Sequence, residues 1–259
     1  LTDANLLRYA QAEYVGFENY LRYLRDDDFW HSLSVTLQYT VGTVVLSFLM
    51  GLATALLLNV RFRFRDLARA LIAIPWATPW LVVTVIWYVM FNPQMGPVNE
   101  ILKGVGAIEA SQPWLYQSTT ALPAIIVVTA WRLFPAAMLL ILAGLQSISS
   151  ELYDAAKVDG AGRWQRFLHI TMPSLRSVNL VTIVLLSIWT FKLFTIAYTL
   201  TAGGPGDATN VLSVYTYREA FLSNQVGRAS ALATLSVLIS LALVFVYIRI
   251  VLRGDPDGE

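Results

Sequence analysis

The stretch SSELYDAAKVDGAGRWQRFLHITMPSLRS, Ser149–Ser177, is the longest polar interval between two strongly apolar segments of this chain to carry a surplus of basic charge. Ser149 or Ser150 is placed to cap a helix, with Glu151 and Asp154 near the positive end of its dipole. Leu152, Ala155 and Ala156 share one face of that helix, and Glu151, Asp154 and Lys157 share another. Gly160 and Gly162 interrupt it and allow a turn. A second short amphipathic helix is expected next. Trp164, Phe167, Leu168 and Thr171 recur at helical spacing, with Arg163 and Arg166 on a different face. Pro173 then starts or breaks the following segment. The whole reads as a helix–turn–helix knob held at a membrane surface, with alanines small enough for another protein to approach closely.

Working outward, composition sets the class. The chain has 259 residues, of which 56% are hydrophobic and only 14% charged, with a mean hydropathy of +0.58. Soluble domains carry roughly 25% charged residues, so the expected fold is an all-α integral membrane protein. A net charge of +1 gives no sign of nucleic-acid binding. The absence of cysteine excludes disulfides, a thiol nucleophile and cysteine metal sites, and His31 and His169 are too few for a histidine-built metal centre. No GxxxxGK[ST] run occurs, so the chain is not itself a P-loop ATPase.

Five spans are expected, at about 31–59, 67–91, 121–148, 177–200 and 227–252, each long enough for a hydrocarbon core of roughly 30 Å. Arg61, Arg63, Arg65 and Arg69 follow the first span and mark the cytoplasmic side, where Arg249 and Arg253 end the last. Ser47, Gly51 and Ala55, and again Ala229, Ala233, Ser236 and Ser240, form small-residue faces for close helix packing. Pro75 and Pro79 predict a second span that kinks or loosens midway, either lining a cavity or as a tolerated kink. Residues 1–30 form an extracytoplasmic interfacial segment, with Tyr20, Tyr23, Phe29 and Trp30 suited to the membrane–water boundary. Val98, Ile101, Leu102 and Val105 make a stripe of helical period, read as a short helix lying on the outer interface. Gly203-Gly204-Pro205 turns the outer segment 201–226, where Val211, Val214, Tyr217 and Phe221 form a second stripe. This topology places the N-terminus outside and the C-terminus inside, and the inner connections carry more Lys and Arg than the outer ones. The chain begins at Leu1 and not at Met, and an upstream segment is expected.

Several of these residues carry a resemblance. Asp154-Ala155-Ala156, Gly160 four residues later, then Ile170 and Pro173 resemble the EAA loop of binding-protein-dependent ABC importer permeases. Asp154 stands where that family usually has Glu, and Met172 where it usually has Leu. Asp159-Gly160-Ala161, Trp164-Gln165 and Phe167 are similar to the carbohydrate branch of the family. So are the run Val15 to Tyr20 and the positions Phe91, Gly96 and Asn99. Thr201-Ala202-Gly203-Gly204-Pro205 and Ala220-Phe221 resemble the larger, maltose-transporter-type permease half. The resemblance implies an ABC type I importer transmembrane domain over 31–259, with 149–176 as the coupling loop. It implies a second homologous permease subunit, two ATP-binding cassette ATPase subunits that bind the ATP and Mg, and an extracytoplasmic solute-binding protein. It also implies a carbohydrate substrate, an oligosaccharide or disaccharide or else glycerol phosphate, and a multi-pass location among the lipids of a bacterial or archaeal cytoplasmic membrane. Asp154, Ala155, Ala156, Asp159, Gly160, Ala161, Trp164, Ile170 and Pro173 would meet the ATPase, and Gly203, Gly204 and Pro205 would dock the binding protein. Such permeases have six or more spans and a cytoplasmic N-terminus, so one further upstream helix is expected. The chain itself is expected to hold no cofactor and to catalyse no reaction.

A charge at mid-membrane costs about 2.5–3.5 kcal/mol on insertion scales, so Arg132 and Lys192 need a reason. One reading is a water-filled path for a sugar, with Trp131, Trp189 and Tyr198 as stacking faces, the two cations as hydrogen-bond donors, and Gln38 as a further lining residue. The other is structural: each cation pairs with backbone carbonyls or a partner acid, or snorkels, and Gln38 makes a buried hydrogen bond to a neighbour. Adjacent residues point about 100° apart on a helix, which argues against Trp131 and Arg132 both facing a path. An ion-coupled secondary transporter is the alternative function. It needs acidic residues within spans, and here Asp and Glu are essentially absent from them, Asp66 lying at a boundary. A membrane enzyme lacks a nucleophile–base pair, and a bare assembly scaffold leaves the two cations unexplained.

Overall fold

The computed structural model describes residues 1–7, 12–60 and 62–253. Arg61 of the arginine cluster and the Arg253 side chain lie outside what it describes. Along the chain come α1 (Glu18–Leu24), α2 (Asp27–Asn59), α3 (Arg65–Ala77), α4 (Trp80–Met90), α5 (Pro97–Gly104), α6 (Ser118–Ser147) and α7 (Ser150–Val158). They are followed by α8 (Arg163–Arg166), α9 (Met172–Ser174), α10 (Arg176–Phe191), α11 (Thr195–Thr201), α12 (Leu212–Tyr217) and α13 (Val226–Arg253). Two π turns, Phe167–Thr171 and Arg218–Leu222, extend α8 and α12. Among the described residues the only β structure is one isolated bridge, Thr2 with Tyr14. By length and composition α2, α6 and α13 can cross a membrane uninterrupted, and the number rises to 5 if each of two broken helix pairs is one span.

The two pairs are Arg65–Ala77 with Trp80–Met90, bent by 95°, and Arg163–Ser174 with Arg176–Phe191, bent by 65° at Leu175. In the expected second span, Thr78 is extended (φ −74°, ψ 132°), the conformation that a following proline imposes, and Pro79 caps α4. Pro75 is accommodated inside α3. The expected fourth span is also interrupted: α10 ends at Phe191, and Lys192, Leu193 and Phe194 separate it from α11. No proline or glycine marks that further interruption.

The chain divides into two compact units. The first comprises Leu1–Thr43, Pro79–Thr129 and Ile188–Val244. Its core gathers Tyr23, Phe29, Phe191, Leu212, Ala231 and Leu232. The N-terminal segment lies along the start of α13, where the Gly227 amide donates to the Ala4 carbonyl at 2.8 Å. A side chain on Gly227 would run into the Thr2 carbonyl, so only glycine allows that approach. Buried Asn99 on α5 accepts from Gln112 N (3.1 Å) and Trp114 Nε1 (2.9 Å) and donates to Gln112 O (3.1 Å).

The second unit comprises Val44–Thr78, Ala130–Ser187 and Phe245–Glu259. Ala55, Leu58, Met138, Ile141, Leu142, Leu145 and Leu175 form its core. Gly51 and Ala55 bring α2 against α6: a Cβ on Gly51 would stand 2.6 Å from that of Ala137. Small residues buy this backbone approach where lipid supplies no hydrophobic drive between helices.

Candidate functional site

The knob between Ser149 and Ser174 belongs wholly to the second unit. Ser149 caps α7, its Oγ accepting from the Glu151 amide at 3.2 Å. The far end of α7 closes in a Schellman turn. Gly160 takes φ +78°, the Ala161 amide donates to Ala156 O at 2.8 Å, and the Gly160 amide donates to Lys157 O at 3.1 Å. Spacing alone thus explains why glycine follows the second alanine by four residues. Gly162 caps α8, and Gln165 Oε1 reaches back to accept from its amide at 2.7 Å, the reciprocal half of a capping box. Tyr153 and Thr171 then tie the two arms together through their hydroxyls at 3.0 Å.

Of the residues singled out for ATPase contact, Asp154 pairs with Lys157 Nζ at 2.7 Å, and Ala155, Asp159, Gly160, Trp164 and Pro173 are exposed. Ala156, Ala161 and Ile170 are half-buried. The expected second amphipathic helix departs from its pattern: only Arg163–Arg166 is α-helical before the π turn. Trp164 stacks on Phe167 (5.4 Å, 26°) yet stays 69% exposed, and Thr171 is buried. Neither α7 nor α8 buries a side chain, and Val158 is 88% exposed. Tyr153 and Arg166 were missed by sequence reasoning. The Tyr153–Thr171 bond has no local signature.

The residues considered for a solute path fall into both units. In the first, Gln38 is exposed and donates to Ser34 Oγ one turn back at 3.1 Å. Trp189 is 40% exposed, and Lys192 is exposed in the break after α10. Tyr198 stacks on Phe194 (4.8 Å, 19°) and meets Tyr217 at 4.6 Å. Phe194 and Tyr217, not singled out for this role by the sequence, therefore join Tyr198 in one aromatic cluster. In the second unit Trp131 and Arg132 are half-buried on α6, and Arg132 Nε donates to the Thr78 carbonyl at 3.2 Å. That carbonyl sits at the proline break, so the backbone-pairing reading of Arg132 has a specific acceptor.

The outer segment after α11 is closed on itself. Ala202 (φ 50°) and Gly203 (φ +89°) turn the chain, and the Gly204–Pro205 peptide is cis. Thr209 Oγ1 donates to Gly204 O at 2.8 Å and lies 2.6 Å from Thr201 Oγ1. Val211 and Val214 of the expected stripe are buried, Tyr217 is half-buried and Phe221 exposed. Beside it a cavity of about 540 Å³ is lined by Arg22, Tyr23, Asp26, Tyr215, Glu219 and Arg228. Tyr23 Oη donates to Glu219 Oε2 at 3.4 Å, and Tyr215 Oη to Asp26 Oδ2 at 3.0 Å. Burial, and then these carboxylates, hold both phenols well above the usual tyrosine pKa.

Comparison with known proteins places this geometry. Residues 44–256 match the family described as "Binding-protein-dependent transport system inner membrane component". The trehalose/maltose transport system permease protein MalF of Thermococcus litoralis is 38% identical over 237 residues, 92% of this chain and 79% of that protein. The sulfoquinovosyl glycerol transport system permease protein SmoG of Agrobacterium fabrum is 36% identical over 244 residues, 94% of this chain and 79% of that protein. Among solved structures, a chain of the bacterial alginate ABC transporter in complex with an alginate pentasaccharide-bound periplasmic protein superposes with a TM-score of 0.83. It is 23% identical, with 95% of this chain and 86% of that one covered. A chain of an amino acid ABC transporter, 17% identical, gives 0.62 over 93% of this chain and 100% of that one. These structures share the fold of an ABC type I importer transmembrane domain. The chain belongs to the family of binding-protein-dependent transport system inner membrane components, as a permease subunit.

Proposed function

We propose that this chain is the membrane-spanning half of an ATP-driven importer that brings a carbohydrate into the cytoplasm by alternating access. Residues 31–259 form the permease domain in this reading, and 1–30 an extracytoplasmic interfacial segment. A second homologous permease completes the path, and a solute-binding protein delivers the sugar to the outer loops around Gly203-Gly204-Pro205. Two ATPase subunits carry the ATP and Mg and drive the cycle through 149–176, and the assembly sits in the cytoplasmic membrane. The names of the relatives, with trehalose, maltose and sulfoquinovosyl glycerol, support a saccharide or glycosyl solute. The aromatic cluster at Tyr198 and the exposed Trp189 offer the flat apolar faces on which sugar rings stack, and exposed Lys192 offers a donor to hydroxyls.

One observation carries the coupling part. The knob leaves Val158 and Trp164 exposed on a segment whose neighbours are charged, and nothing in α7 or α8 is buried. Such an apolar surface on a polar segment is what a protein partner covers. Gly160 supplies the test, since a Cβ built there meets nothing within 4 Å, although its φ of +78° strains any L-residue. Gly160→Asn tolerates that conformation and adds little bulk, whereas Gly160→Trp adds both strain and bulk. In the reconstituted transporter, Gly160→Trp is expected to lower binding-protein-stimulated ATP hydrolysis by about tenfold or more, while Gly160→Asn stays close to wild type. A Gly160→Trp transporter with full stimulated activity and transport would remove this reading's main support.

A further inference from the structure

A groove of about 300 Å³ opens on the knob beside the Gly160 turn, lined by Ala156, Asp159, Gly160, Gln165, Arg166 and His169 among others. Arg166 is half-buried there, and its Nε is shut off from solvent with no hydrogen-bond partner among the described residues. Burying that N–H without an acceptor is costly, and since Nε is closed to an incoming group as well, a partner meets the guanidinium through its two Nη groups. The knob's own carboxylates do not relieve it. Asp154 is engaged by Lys157 at 2.7 Å, and Asp159, on the wall of the same groove, is exposed and makes no ion pair with Arg166. Arg163 and Arg176, by contrast, are exposed to solvent. The groove's lip is open at Gly160, and exposed Val158 and Trp164 flank it in sequence. A contact that covers these apolar residues would exclude water from the groove and strengthen any charge pair within it. Arginine's planar fork of N–H donors fits a carboxylate in two parallel hydrogen bonds.

We propose that this groove receives an acidic side chain of the ATPase subunit, whose carboxylate accepts from Arg166 and anchors the ATPase to the permease by charge. The inference rests on the reading of the knob as the ATPase-facing surface, and goes beyond it in naming the anchor and the chemistry of its partner.

The test titrates purified cognate ATPase onto membranes that hold the transporter stripped of its own ATPase, at low and at high salt. Wild type, Arg166→Ala, Arg166→Lys and Gly160→Trp are compared. Arg166→Ala is expected to bind about tenfold more weakly and to show a flatter salt dependence, as the loss of a charge-assisted bond predicts. Arg166→Lys is expected to fall between, because an ammonium keeps the charge without the fork. It also guards against a misfolded alanine variant: binding by Arg166→Lys that is no better than that of Arg166→Ala overturns the proposal. Arg166→Ala binding with wild-type affinity and salt dependence overturns it too. If Gly160→Trp loses the ATPase while Arg166→Ala keeps it, the anchor alone falls. If both bind as wild type does, the knob reading falls with it.

Discussion

The knob at 149–174 and the outer segment at 201–226 are both polar connections between apolar helices, and they use their hydrogen-bonding groups in opposite ways. The outer segment pairs most of its own, with Asn210 Oδ1 a buried exception, although it too leaves Phe221 and Leu222 exposed. Thr209 is fully buried between Thr201 and the Gly204 carbonyl, Asp207 pairs with Arg218, and the Leu212 amide donates to Thr36 Oγ1 at 2.8 Å. The knob fixes its backbone with a cap, a Schellman turn and one hydroxyl pair, then leaves apolar and cationic side chains uncovered. A segment of the first kind keeps its shape alone. One of the second kind presents a fixed shape with part of its surface uncovered.

This contrast breaks most easily at the knob. Val158→Asp puts a charge on the most exposed apolar side chain of α7, and binding-protein-stimulated ATP hydrolysis should fall by about tenfold or more. Thermal stability should stay within about 0.5 kcal/mol of wild type, since nothing packs there. A matching loss of stability would mean that Val158 serves the fold and not a partner. The outer segment should respond in reverse. Thr209→Val keeps the shape but deprives the Gly204 carbonyl and the Thr201 hydroxyl of a buried partner, a loss of about 1–3 kcal/mol measured by thermal or denaturant unfolding. Unchanged stability there would erase the distinction between the two segments.

The smallest effect sharpens the comparison by pH. Tyr23 and Tyr215 have folded pKa values raised above the unfolded one of about 10. Their contribution is therefore complete below that value and is lost as pH rises through and past it. Tyr215→Phe should lose stability less steeply than wild type above about pH 10. Parallel stability curves for the two proteins would show that this phenol stays out of the linkage.

Much of the architecture was readable because each span is a long apolar run, and because the knob's ends carry local chemistry: a serine cap, a glycine in the left-handed region and a glutamine at the third helical position. Thr78-Pro79 likewise announced a break, since a proline acts on the residue before it. The interruption after α10 did not. Lys192-Leu193-Phe194 contains nothing that opposes a helix, and Phe194 is instead engaged by Tyr198 and Tyr217, a contact across 23 residues of chain that no local pattern encodes. The same limit hid the Tyr23–Glu219 and Tyr215–Asp26 pairs, and the π turn at Phe167–Thr171, whose sequence FLHIT reads as ordinary α-helix.

That π turn has a consequence for register. Each of its hydrogen-bonded rings takes in one residue more than an α turn, so the residues beyond it are set back by about 100° relative to an unbroken α-helix. Leu175, four residues past the turn, is fully buried in that shifted phase, in the core that also holds Ala55, Leu58 and Leu145. The turn thus works as a phase key between two gears. Deleting one residue from 167–171 would let the turn close into an ordinary α-helix with Leu175 still in its seat, whereas closing the turn with every residue kept would rotate Leu175 away by about 100°.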